Sequence, residues 1–129
     1  MSSTPSFAVT PRVGSAAVSS SADNSWTTFT NAVDILTGVA SGTKIEEVVI
    51  QGLGVTTAGV LNIIYYDGTT NHLFDQVLIT AVSGTSTAIT FRAVRQYSNL
   101  ILPSSSAKLR ASSMVASQLI RVTAFGADL

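Results

Sequence analysis

Leu61-Asn62-Ile63-Ile64-Tyr65-Tyr66-Asp67-Gly68-Thr69-Thr70 decides the fold. Its first six residues are rich in β-branched and aromatic side chains. Asp67-Gly68 then supplies a glycine that accepts positive φ beside an aspartate that bonds nearby backbone, so the stretch reads as a strand, a short turn and a returning strand from Asn71. Leu61, Ile63 and Tyr65 form one apolar face, but Ile64 and Tyr66 make the opposite face apolar as well. Val48-Val49-Ile50 and Val77-Leu78-Ile79 behave the same way. A strand with one wet face alternates, so these runs predict outer faces that are covered, in so small a domain by another subunit.

Working outward, similar segments separated by Gly, Ser and Asn predict about eight strands, at residues 13–19, 25–30, 43–53, 57–66, 71–81, 86–94, 107–112 and 117–125. Val82-Ser83-Gly84-Thr85 reads as a second hairpin turn, and Gly52 and Gly54 mark a bulge or a close backbone approach. Residues 31–38 fit either one helical turn, from an Asn cap to a Gly stop, or a loop. Pro5 and Pro11 among Ser and Thr make residues 1–12 an extended N-terminal arm ahead of a single domain at residues 13–129. The expected fold is an all-β antiparallel sandwich of jelly-roll or Greek-key type.

Only 11% of the residues are charged, against roughly 25% in an ordinary soluble domain. Such a surface is best explained by burial against other protein. The seven basic residues are scattered and the net charge is zero, so no stripe exists to neutralise a run of phosphates and direct nucleic-acid binding is not expected. Apolar runs fall far short of the roughly 18 residues of a spanning helix, so no membrane partner is expected. The opening Met1-Ser2-Ser3-Thr4-Pro5-Ser6 has neither a basic nor an apolar signal region, which predicts synthesis in the cytoplasm.

The chain offers little to chemistry. The single histidine, His72, lies three residues before Asp75, and in a strand that spacing points the two to opposite faces. Asp67, Asp75, Glu46 and Glu47 match no calcium-loop spacing, there is no cysteine, and no G-x-S-x-G surrounds any serine. No enzyme, metal or cofactor is expected. Arg92, Arg95, Arg110 and Arg121 are instead candidate interface anchors, because a guanidinium keeps its charge and bonds a carboxylate in two places. Trp26 with Phe29, and Tyr65 with Tyr66, suit core or subunit-interface packing, or a sugar-binding platform.

Pro11-Arg12-Val13-Gly14, Ser41-Gly42-Thr43-Lys44-Ile45-Glu46-Glu47-Val48-Val49-Ile50, Thr56-Thr57-Ala58-Gly59-Val60, Tyr65-Tyr66-Asp67-Gly68 and Val122-Thr123-Ala124-Phe125-Gly126-Ala127-Asp128 span most of the chain. Together they resemble the capsid decoration, or cement, proteins of tailed bacteriophages. The resemblance implies a β-sandwich subunit that forms homotrimers at local three-fold positions of an HK97-like shell and staples neighbouring copies of the major capsid protein. It implies no catalytic residues. It also implies an arm that reaches a neighbouring subunit, here residues 1–12 with Pro5, Pro11 and Arg12. A tail or neck subunit, or a carbohydrate-binding module of a host-attachment structure, are the alternatives that the same composition allows.

Overall fold

In β3 (Thr43–Gly52) Thr43, Ile45, Val48, Ile50 and Gly52 are buried, and the residues between them are half-buried or exposed. The three-residue step from Ile45 to Val48 coincides with a register irregularity between Ile45 and Glu47, so the strand is two runs of period two joined at a bulge. The computed structural model describes residues 10–18, 22–23 and 25–129, and among them are ten strands and no helix. The others are β1 (Thr10–Ala17), β2 (Val33–Thr37), β4 (Val55–Thr56), β5 (Gly59–Tyr66), β6 (Asn71–Ile79), β7 (Val82–Ser83), β8 (Arg92–Leu102), β9 (Lys108–Ser113) and β10 (Ile120–Asp128).

The first sheet has the order β1-β10-β3-β8 and the second β2-β9-β5-β6, while β4 pairs with β7 alone. Every pairing between these strands is antiparallel. Both sheets feed one sandwich-like core: Ile45, Val48, Ile50, Leu102, Ile120 and Val122 come from the first, and Leu36, Leu61, Ile63, Val77, Ile79 and Leu109 from the second. Each such aliphatic side chain contributes about 1.5–3 kcal/mol on burial. At one edge β1 packs on β2 so closely that a Cβ at Gly14 would collide with the Ile35 carbonyl. At the other edge, side chains of β6 and β8 bridge the sheets.

The Asp67-Gly68 hairpin forms as read, with Gly68 at φ 101° and the Asp67 carboxylate accepting from the N–H groups of Thr69 (2.8 Å) and Thr70 (2.7 Å). Five expectations change. Residues 25–30 are not a strand, because the Ser25 hydroxyl accepts from the N–H groups of Thr27 and Thr28, and the buried Asp23 carboxylate accepts from the Asn31 backbone and side-chain amides. Those local bonds displace the ladder. The strand forms instead at Val33–Thr37, inside the stretch that read as helical turn or loop, because Ile35 and Leu36 bury and pairing with β9 is available.

Likewise the strand expected at 86–94 begins only at Arg92, after a tight reciprocal turn between Thr85 and Ala88, and continues to Leu102. Its second half was concealed by the offset opposite Ile45 and Glu47, where pairing jumps from Leu100 to Gln96. The Ser83-Gly84 turn closes no hairpin with β6, since β7 pairs with β4. Finally, Thr10, Pro11 and Arg12 belong to β1 rather than to an arm, paired with Asp128, Ala127 and Gly126 on an edge strand where a proline is tolerated. The remainder of the expected arm, with Pro5, lies outside the described residues.

Candidate protein interface

The arginines singled out from the sequence divide into two groups. Arg12 donates to Asp128 and to the Thr37 carbonyl, both at 2.9 Å, and Asp128 also accepts from Thr43 Oγ1 at 2.8 Å, so this cluster ties β1, β10, β3 and β2 together. Arg95 donates to the Gln76 carbonyl across the sheet edge at 3.2 Å, and its Nε lies 3.3 Å from Asp75 Oδ2. That contact pairs the charges without aligning a hydrogen bond, for Nε is buried and unbonded while the carboxylate accepts from the Tyr97 hydroxyl at 2.8 Å. Arg110 bonds Asp34 at 2.7 Å and Asn71 at 3.1 Å, and its guanidinium lies 3.9 Å from the Tyr66 ring centroid. Burial raises the Asp34 carboxyl, but bonds and charges from Arg110 and Lys108 outweigh it and leave Asp34 below its ordinary value.

The remaining charges follow the same rule. Lys44 pairs with Glu46 at 3.2 Å and His72 with Asp67 at 2.9 Å, while Asp23 is held by Asn31. Of the fourteen charged side chains, only Arg92, Arg121 and Glu47 make no ion pair or side-chain hydrogen bond among the described residues. All three lie on the outer face of the first sheet. Register places Arg121 and Arg92 on either side of Gln51 in the row Ala17, Arg121, Gln51, Arg92. The next rows are Ser15, Thr123, Val49, Val94 and Val13, Phe125, Glu47, Gln96. A shallow depression of about 480 Å³ lined by Glu47, Val49, Gln51, Arg92, Thr123 and Phe125 opens between them. Val13, at 62% exposed, and Phe125 add apolar surface.

This face continues onto an end of the molecule that carries no charge. Residues 52–66, 76–91 and 111–120 contain no Asp, Glu, Lys or Arg, and their connections expose Leu53, Val55, Leu119 and Ile89, the last 92% accessible. These connections are tied to one another. The Gln118 amide, fully buried, accepts from the Thr57 N–H at 2.8 Å and donates to the Thr57 carbonyl. Thr56 Oγ1 bridges the Thr80 carbonyl and the Val82 N–H, Gly84 and Thr90 both donate to the Gly54 carbonyl, and Leu53 donates to Leu119. Ser117 is held at φ 58°, a left-handed conformation that a serine keeps only where its surroundings fix it. Surface apolar groups on so fixed a frame lose little entropy on docking.

The second sheet is different. The polar and charged side chains of its outer face bond one another, Asn62 to Ser112, Gln76 to Asn62, and Asp34 to Lys108 and Arg110, and Leu78 is exposed beside them. Ile64, which read as a residue needing a neighbour's cover, is fully buried within the subunit between its register partners Arg110 and Leu73.

Neither aromatic pair forms a platform. Trp26 is 62% exposed but Phe29 is buried, Tyr65 bonds the Ile101 carbonyl across the sandwich, and Tyr66 lies beneath Arg110. His72 meets Asp67 rather than Asp75, and no group of three or more potential metal ligands occurs among the described residues. What sequence reading missed was Glu47, Gln51 and the apolar connections at Leu53, Ile89 and Leu119; the charge-free stretches were the available signal. No protein-family model matches the chain, and no curated protein matches it.

Proposed function

We propose that this chain is a structural virion protein of the tailed-phage type, a decoration or cement subunit that binds the major capsid protein as a homotrimer and stabilises the shell. The observation that carries this reading is the inequality of the two outer faces. The charges of one are bonded within the subunit, and the other, with Val13 and Phe125 exposed, carries the three charges that have no partner among the described residues. A protein that acts by being held against a surface has this one-sided character. The strand order also supports it. The eight long strands fall into β1-β10-β3-β8 and β2-β9-β5-β6, an order we read as a jelly roll of two Greek keys, an architecture used by viral capsid and lectin domains. Synthesis in the host cytoplasm and residence on the capsid exterior follow from the same reading. Shells assembled with and without the chain test it: those with it should resist heat and osmotic shock better, and equal resistance overturns the proposal.

A second reading has one observation behind it. Trp26 stands exposed on its connection, as a stacking residue of a carbohydrate-binding module would. Glycan-array binding lost in W26A would favour that module, and no binding to any glycan would remove it.

A further inference from the structure

We propose that the outer face of the first sheet, with Arg92 and Arg121 around Gln51 and the apolar tips Leu53, Ile89 and Leu119 beyond them, docks onto an acidic protein surface of the shell. This rests on the shell-binding reading above and names the surface that does the binding. The two guanidiniums are borne by strands on either side of β3, so their backbones are about 10 Å apart, and within the described residues the fold provides neither with a carboxylate. Every other Lys and Arg in the chain is ion-paired internally, Lys108 and Arg110 sharing Asp34. Two exposed guanidiniums at that spacing are complementary to a pair of carboxylates, which each can hold in two bonds.

Other occupants fit less well. A second copy of the same face would bring four arginines against two glutamates. A nucleic acid or an anionic lipid surface recruits clusters of cations, and here there are two. Size sets the strength. Four strands about 4.8 Å apart, over the run from Glu47 to Leu53 at about 3.3 Å per residue, give a flat area of roughly 400 Å², about half of the 800 Å² or so per partner in a stable complex. One copy therefore binds weakly, and a trimer multiplies that through effective concentration.

Rebinding of the purified full-length chain to source-virion shells stripped of it tests the assignment. Wild type should bind with an affinity that falls as salt rises. R92E/R121E should bind at least about a hundredfold more weakly, roughly tenfold for each charge-assisted contact, while keeping its circular dichroism melt. I89S should weaken binding, and L78S, on the outer face of the second sheet, should not. If wild type binds and R92E/R121E binds equally well, the assignment of this face is overturned and shell binding stands. If R92E/R121E changes the oligomeric state and leaves shell binding intact, the face lies between copies and the assignment is again overturned. If wild type does not bind, the shell reading itself fails and takes this assignment with it.

Discussion

Arg95 and Arg92 are three residues apart in one strand and have opposite fates. Arg95 is drawn to the edge, where Asp75 and Tyr97 await it, and Arg92 faces outward beside Gln51. Burial first, and then the bond to Asp75, push the Tyr97 phenol well above its ordinary 10.0. The neutral phenol is therefore favoured in the folded state, and its contribution to stability is fully present below pH 10.0 and is lost as pH rises toward the folded value. Y97F should lower unfolding free energy by about 1–2 kcal/mol, a bond to a carboxylate discounted for partial exposure. Chemical denaturation at neutral pH checks this, and an unchanged midpoint would remove Tyr97 from the bridge. Asp67 titrates the other way. The Thr70 N–H, then His72, then the Thr69 N–H hold its carboxyl at about 2, against 3.8. Its support for the hairpin is present above pH 3.8 and lost as pH falls through about 2. A carboxyl NMR titration should show that low midpoint, and one near 3.8 would show the turn bonds to be absent in solution.

At the scale of elements, the connections at the uncharged end depend on Gln118. Replacing it with alanine removes the buried partner of the Thr57 N–H and carbonyl, and because Thr57 itself is exposed water can take up part of the loss, so Q118A should cost about 1–2 kcal/mol and speed amide exchange at Thr57. Q118E should be worse than Q118A, since a buried carboxylate cannot donate to the Thr57 carbonyl. Thermal melts of the two variants check the order. The elements that sequence reading located, β3, β5 and β6, are dense in β-branched and aromatic side chains and bounded by turn residues, and they were legible although register shifts at Ile45/Glu47 and Ile63/Ile64 interrupt their alternation. Those it misplaced are cases where a side chain or a bulge intervenes. Ser25 and Asp23 turn a β-rich segment into a loop, and the offset in β8 breaks the alternation that would have disclosed its second half. The first is a local turn that β-propensity outweighed in the reading, whereas the second depends on a partner strand distant in sequence and leaves no local signature.

On the scale of the whole molecule, the sparse charge of the sequence acquires a distribution. Eleven of the fourteen charged side chains are spent inside the subunit and the remaining three share one face. The sequence reading of arginines as candidate anchors could not separate those paired within the subunit from those left free, since the carboxylates that occupy Arg12, Arg95 and Arg110 come from 116, 20 and 76 residues away. The expectation that some outer faces are covered likewise narrows to one face, since the charges of the other are bonded within the subunit and Ile64 is buried there. Electron microscopy of the assembled source particle tests this most directly. This chain should lie on the shell surface with Arg92, Arg121 and Ile89 against the capsid and the Asp34, Lys108 and Arg110 cluster toward solvent. The chain bound with Arg92 and Arg121 facing solvent, or missing from the shell, would contradict it.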